Sequence, residues 1–108
     1  MFLLVDRQTD EYCETELFEA SCGQGHVILI TRSLYGRMKV GRCIDRDYGY
    51  VGCSTDVLHL TDRACSGRRN CVVPVPNSEF RRVARETCPR DLKPYLEASY
   101  TCVRGNRE

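Results

Sequence analysis

Hydrophobic and polar residues alternate most regularly near the end of the chain. The stretch YLEASYTC, residues 95–102, has an apolar residue or cysteine at every second position from Leu96 to Cys102 and polar residues between them. This period of two predicts a strand with one buried face. The run HVILITR, residues 26–32, is apolar and β-branched, and predicts a strand buried on both faces. With ELFEASC, residues 16–22, and the intervening glycines, it predicts a hairpin.

Two stretches have the spacing of short helices. In residues 54–67, STDVLHLTDRACSG, cap candidates at Ser54 to Asp56 precede apolar residues three and four apart, and Gly67 follows the last of them. In residues 77–88, NSEFRRVARETC, Asn77 or Ser78 is the cap candidate and the exposed side is rich in arginine. Both stretches therefore predict helices that pack one apolar face.

The remaining segments predict an edge strand and a loop. CVVPVP, residues 71–76, reads as a short edge strand, because proline cannot donate a hydrogen bond to a central ladder. Residues 42–54 contain two glycines and no regular period, so they predict a loop that Cys43 and Cys53 hold in place.

Length and composition indicate one globular domain over residues 1–108. The chain has 108 residues, of which 42% are hydrophobic and 29% charged. A second domain would have no room for its own core. The sequence contains no Trp and only three Phe, so we expect covalent links to assist the core.

The eight cysteines supply such links. An even number spread along a short chain predicts a disulfide framework. Zinc is the alternative, but the closest pair, Cys65 and Cys71, is wider than the C-x2-C spacing of structural zinc sites. His26 and His59 lie in apolar runs and are more typical of packed or surface histidines than of ligands. We therefore expect no metal and no cofactor.

Disulfides indicate an oxidising compartment, so we expect an extracellular setting, either secreted or as the ectodomain of a membrane protein. The initial MFLLV is too short for the apolar part of a signal peptide, which predicts that the chain is part of a longer precursor. No stretch is long enough to predict a transmembrane segment.

The charges exclude some functions and leave one open. A net charge of +1 does not favour nucleic acid as a partner. No Ser, His and Asp arrangement or free thiol indicates a nucleophile and its base, so we expect no enzyme. The planar guanidinium group of arginine suits sulfate groups, so the arginines could bind a sulfated glycan. The alternative is that they form a solvated surface with internal ion pairs. The candidate glycosaminoglycan-binding residues are Arg63, Arg68, Arg69, Arg81, Arg82 and Arg85.

The step Tyr35-Gly36-Arg37 follows the apolar run of residues 26–32. Glycine there permits a sharp exit from a strand, and Arg37 suits an ion pair or backbone hydrogen bonds. Tyr35 is the candidate for contact with a partner. From the residues alone, a structural and a recognition role both remain open.

Together with the cysteine spacing, the segments YGR, CVVPVPNSEF and CPRDLKPYLEASYTC resemble the SUEL-type lectin domain, also called the D-galactoside/L-rhamnose-binding lectin domain. The resemblance covers Cys13 to Val103, which would be the core, with loose termini. It implies an α+β fold: a small, disulfide-rich, antiparallel β-sandwich-like domain with about five strands and two helices. The implied disulfides are Cys13–Cys43, Cys22–Cys102, Cys53–Cys88 and Cys65–Cys71.

The resemblance also implies a carbohydrate-binding site for rhamnose or galactose. Its residues would be Glu14, Tyr35, Glu86 and Lys93, because a carboxylate and a cation together can hold vicinal sugar hydroxyls. Leu34 and Pro94 stand where the family usually has Asn and the sugar-contacting Lys.

The alternative is a protein-binding ectodomain module, as in latrophilin-like adhesion receptors and EVA-1-like guidance receptors. Its partner would be a membrane-receptor protein. Such a module would have no monosaccharide activity, with heparan sulfate as a further partner.

Overall fold

The computed structural model of the chain describes residues 9–45, 51–84, 88 and 92–105. These residues form six strands and two helices, and all strand pairs are antiparallel. The predicted α+β class is confirmed. In chain order the elements are β1 (Asp10–Tyr12), β2 (Leu17–Ser21), β3 (His26–Arg37), β4 (Cys53–Asp56), α1 (Leu58–Cys65), β5 (Asn70–Pro74), α2 (Ser78–Val83) and β6 (Tyr95–Arg104).

The strands form a four-stranded sheet in the order β1-β6-β3-β4 and a two-stranded sheet of β2 and β5. Helix α1 packs against β3 and β5. The core contains Phe18 from the small sheet and Ile28 and Leu96 from the large one. The ring of Phe18 also meets Tyr12 and Tyr100 edge-on, with centroids 5.0 and 6.2 Å apart. Buried apolar side chains thus join the two sheets.

The predicted hairpin of residues 16–22 and 26–32 is wrong. β2 pairs with β5, where Phe18 lies opposite Val73, whereas β3 pairs with β4 and β6. The intervening turn is tight, since the His26 N–H donates to the carbonyl of Gly23 at 3.0 Å. It nevertheless carries the chain from the small sheet to the large one, and Phe18 and Ala20 face the core between them.

Burial of the two long strands is the reverse of the sequence prediction. β3 alternates in its first half, and Leu29 is 44% exposed, so it is not buried on both faces. β6 is buried on both faces, including Glu97 and Ser99. The reason is position: β6 lies between β1 and β3, and polar side chains of its neighbours cover its second face. Thr31 and Ser99, for example, share a hydroxyl hydrogen bond of 3.0 Å there.

Both predicted helices are present. The Asp56 carboxylate accepts the Leu58 N–H at 2.8 Å at the start of α1. The Asn77 side chain accepts the N–H groups of Glu79 and Phe80 at the start of α2, so Asn77 is its cap. No helix among the described residues is long and apolar enough to cross a bilayer.

The loop predicted over residues 42–54 ends earlier, because Cys53 and Ser54 belong to β4; residues 46–50 lie outside the described part. Gly36 of β3 lies opposite Ser54. A Cβ at Gly36 would lie 2.8 Å from the Ser54 Cα and closer still to the Cys53 carbonyl oxygen. Glycine is therefore needed for the close approach of β3 and β4.

All eight cysteines are in disulfides, which leaves none to bind zinc. Cys22–Cys102 closes the longest loop, 80 residues, and joins the end of β2 to β6. Such a crosslink restricts the unfolded chain most when the loop is long. The pairs are those that the family resemblance implies: Cys13–Cys43, Cys22–Cys102, Cys53–Cys88 and Cys65–Cys71.

Candidate functional site

Glu14 lies in a braced turn between β1 and β2. The Glu16 N–H donates to the Cys13 carbonyl at 2.9 Å, and the Cys13 N–H donates to the Glu16 carboxylate at 2.8 Å. The guanidinium of Arg42 holds the same carboxylate at 2.8 and 2.9 Å. The hydrogen bonds from Arg42, together with the one from the Cys13 N–H, lower the pKa of Glu16 from 4.5 to about 2. The turn therefore presents Glu14 from a fixed backbone.

Tyr35 is on the core face of β3, close to its end. It is 1% exposed, and its ring lies 5.3 Å from that of Phe80, centroid to centroid, at an angle of 39°. Phe80 is the buried residue of α2, so its contact with Tyr35 fixes the helix against the end of β3. The tyrosine thus lies below the exposed side of α2.

The hydroxyl of Tyr35 is buried and has no hydrogen-bond partner of normal geometry. It is the one such side-chain atom among the described residues. Burial raises the pKa of Tyr35, the guanidinium of Arg81 opposes that rise, and Glu14 adds to it. Arg81 therefore interacts with the hydroxyl, although no hydrogen bond of normal geometry joins the two, and Glu14 lies close to Arg81.

Arg81 forms a loose ion pair with Glu14. Its Nη2 lies 3.8 Å from the Glu14 Oε2, which is beyond hydrogen-bond distance. The Glu14 side chain is 24% exposed and that of Arg81 58% exposed. The sequence indicated Arg81 only as one of several surface arginines. Its place beside Glu14 and Tyr35 depends on how α2 packs, which no local pattern encodes.

The other two predicted sugar-binding residues are less closely defined. Lys93 precedes β6; its carbonyl accepts the Arg37 Nη1–H at 2.9 Å, and the residue is exposed. It lies at the same end of the sheet as Tyr35, because Gly36 pairs with Tyr95. No contact joins the Lys93 side chain to Glu14 within the described residues. Glu86 lies outside the described residues.

Arg37, the last residue of the tripeptide, is 4% exposed and binds the backbone at Lys93. It also accepts the Gly52 N–H on its carbonyl at 2.6 Å. Gly36 and Arg37 thus have structural roles, whereas Tyr35 lies in the candidate site.

The predicted glycosaminoglycan-binding arginines that the structure describes belong to α1, to α2 and to the segment between α1 and β5. Arg69 is bound to Cys22 at one end of β2, with its Nε–H donating to the Cys22 carbonyl at 3.2 Å. Arg81 is near Glu14, which precedes β2. Arg63 pairs with Glu79 at 3.7 Å. Arg68 adjoins Arg69, Arg82 adjoins Arg81, and Arg85 lies outside the described residues.

A separate polar groove of about 440 Å³ lies on the outer face of the large sheet. Its charges are matched within the protein, since Arg32 pairs with the buried Glu97 at 3.1 Å. Arg42 is also held by the Glu11 carbonyl and by Glu16. The described residues contain no group of three or more His, Cys, Asp or Glu side chains that could hold a metal ion.

Comparison with known proteins gives the class of this fold. Residues 20–102 match the family model of the D-galactoside/L-rhamnose binding SUEL lectin domain. The chain belongs to that family, and the resemblance seen in the sequence is confirmed. The match begins after Glu14 and covers Tyr35, Arg81 and Lys93.

Relatives include a D-galactoside-specific lectin and latrophilins. The chain is 28% identical over 101 residues to the D-galactoside-specific lectin of Heliocidaris crassispina, covering 86% of this chain and 88% of that protein. It is 33% identical over 101 residues to latrophilin Cirl of Drosophila persimilis and 32% identical to that of Drosophila ananassae. These alignments cover 89% of this chain but only 6% of each latrophilin.

Proposed function

We propose that the chain is an extracellular carbohydrate-binding module that takes a rhamnose- or galactose-type sugar. The site would consist of Glu14, Tyr35 and Lys93, with Glu86 as a further carboxylate. Membership of the SUEL lectin family and similarity to a D-galactoside-specific lectin support this proposal. The four disulfides support the extracellular setting. The role is recognition, without catalysis.

The observation that carries the proposal is the buried hydroxyl of Tyr35, which has no hydrogen bond of normal geometry and lies near Arg81 and its ion-pair partner Glu14. A buried polar atom without a partner costs about 1–3 kcal/mol of stability, so its retention calls for an explanation. Two neighbouring sugar hydroxyls could bind these groups. One would donate a hydrogen bond to the Glu14 carboxylate, and the other would accept one from the Tyr35 hydroxyl. The ligand would supply the hydrogen bond that the protein lacks.

Access to the tyrosine requires a side chain to move. The Tyr35 hydroxyl is inaccessible in the described structure, and the exposed Arg81 guanidinium is near it. Rotation of an exposed side chain is fast and needs no change in the fold. A site of so few contacts should bind a free monosaccharide in the millimolar range, which corresponds to about 4 kcal/mol.

The test is titration of the isotope-labelled domain with galactose, rhamnose and, as a control, glucose, followed by NMR. We expect saturable shifts at Glu14, Tyr35 and Phe80 with galactose or rhamnose. Glu14→Gln should weaken binding at least tenfold, because a neutral amide is a weaker acceptor than a carboxylate. Glu19→Gln, which removes the same charge from the exposed face of β2, should bind normally. Equal weakening by both variants, or no saturable shift, would contradict the proposal.

A second candidate function is protein binding as a receptor ectodomain module. Similarity to latrophilin supports it, as do two exposed apolar side chains on the outer face of β2 and β5. Leu17 is 49% exposed and Val72 58% exposed. Substitution of both by Ser should abolish binding of a receptor partner but leave the sugar titration unchanged. Loss of sugar binding in that variant would argue against two separate surfaces.

Sulfated-glycan binding through the arginines stays a prediction. The described arginines belong to α1, to α2 and to the segment between α1 and β5, so the proposed partner is a chain with several sulfate groups, such as heparan sulfate. Retention on a heparin column above physiological salt would support it, and elution at low salt would count against it.

A further inference from the structure

We propose that the Glu14–Tyr35 site prefers an anionic sugar, a galactose-type ring with a carboxylate or sulfate group, and that Arg81 binds this group. The inference rests on the proposed function, because it names the ligand class of the same site. It starts from the position of Arg81, whose guanidinium lies next to both Glu14 and the buried Tyr35 hydroxyl. A sugar that reaches the tyrosine must therefore meet this guanidinium.

The donors of Arg81 are largely uncommitted. Within the described residues, its side chain has the 3.8 Å ion pair with Glu14 and its approach to Tyr35, neither with the geometry of a hydrogen bond. The side chain is 58% exposed. A guanidinium offers five N–H groups in a planar fork that matches the oxygens of a carboxylate or sulfate. Arg81 can thus turn its fork to an anion at low cost.

The local charge also favours an anion. Arg82 follows Arg81 on α2, and both are exposed. The neighbouring acid, Glu79, pairs with Arg63 at 3.7 Å. A neutral sugar would offer no partner to the positive charge of Arg81. An anionic sugar would offset that charge while its hydroxyls bind Glu14 and Tyr35.

Two ligands that differ at one carbon provide the test. Galacturonate has a carboxylate where galactose has its CH2OH group, and the ring hydroxyls are the same. We expect galacturonate to bind about fivefold more tightly than galactose in NMR titrations at low salt, the factor that corresponds to about 1 kcal/mol. Galactose 6-sulfate is titrated in parallel to compare a sulfate with a carboxylate. The ligand that binds more tightly identifies the group that the Arg81 guanidinium prefers.

Arg81→Gln should remove the preference, so that galacturonate and galactose bind equally. Arg104→Gln is the matched control, because Arg104 is exposed at the far end of β6 and its loss changes the net charge by the same amount. This control should keep the fivefold preference. Thermal unfolding of both variants checks that the fold is intact.

Each outcome bears on the inference. A preference for either anion that is lost in Arg81→Gln and kept in Arg104→Gln supports it. Equal or tighter binding of galactose by the unmodified domain overturns it while the proposed function stands. An anion preference that persists in Arg81→Gln also overturns it, since another cation would then be responsible. If no sugar produces saturable shifts, both the inference and the proposed function fail.

Discussion

Replacing Tyr35 by Phe should make the protein more stable while it loses ligand binding. The hydroxyl of Tyr35 is buried without a hydrogen bond, and its ring packs on Phe80. The substitution keeps the ring and removes the unsatisfied atom. A buried unpaired hydroxyl costs about 1–3 kcal/mol, and the lower limit applies here because Arg81 partly compensates. We expect a gain of about 1 kcal/mol, or about 4 °C in melting temperature.

Tyr95 provides the matched control, because it is equally buried and lies opposite Gly36 on the neighbouring strand. Its hydroxyl accepts the Lys39 N–H at 3.2 Å and contacts the Lys39 carbonyl at 3.5 Å. Tyr95→Phe should therefore lose about 1 kcal/mol. The same chemical change is expected to have opposite signs at the two positions.

The assay is guanidinium-induced unfolding at equilibrium, with the disulfides intact and circular dichroism as the signal. The free energies of unfolding of the two variants are compared with that of the unmodified domain at one pH. A loss for Tyr35→Phe similar to that for Tyr95→Phe would refute the reasoning, because it would show that the Tyr35 hydroxyl has a stabilising partner.

Two further predictions concern the framework around the site. Gly36→Ala should destabilise the fold by about 3 kcal/mol or more, because the added Cβ would meet the backbone of β4. Gly23→Ala is the control: a Cβ there has open space, so this variant should be nearly neutral in thermal unfolding. Hydrogen bonding to Arg42 lowers the pKa of Glu16 to about 2, so this pair contributes stability above pH 4.5 that is lost as the pH falls from 4.5 to about 2. Arg42→Gln should return the Glu16 pKa toward 4.5 in a carboxyl NMR titration and flatten the acid-induced loss; an unchanged pKa would contradict the assignment.

Local sequence patterns predicted most of the elements but not their pairing. The cap at Asn77 and the presence of a strand at β6 depend on neighbours in the chain, so they were visible in the sequence, although the burial of β6 was not. The partner of β2 was not, because Phe18 and Ala20 would suit either sheet, and only the packing of the whole core selects β5. Burial of Glu97 likewise depends on Arg32 from an adjacent strand.

The candidate site was predicted to a similar degree. Family resemblance suggested Glu14 and Tyr35, and the structure places both near Arg81. Arg81 appeared only as a surface cation, because its contact with Glu14 spans two distant segments of the chain. The lack of a partner for the Tyr35 hydroxyl is also a property of packing. No pattern of residue types reports an unsatisfied buried atom.

The most direct test of the account is a search for intermolecular NOEs between galactose or rhamnose and the labelled domain. We predict contacts from the sugar ring protons to the aromatic protons of Tyr35 and the side-chain protons of Glu14 and Arg81. Contacts confined to the groove at Arg32 and Lys39, or no contacts at a saturating sugar concentration, would contradict the proposed site.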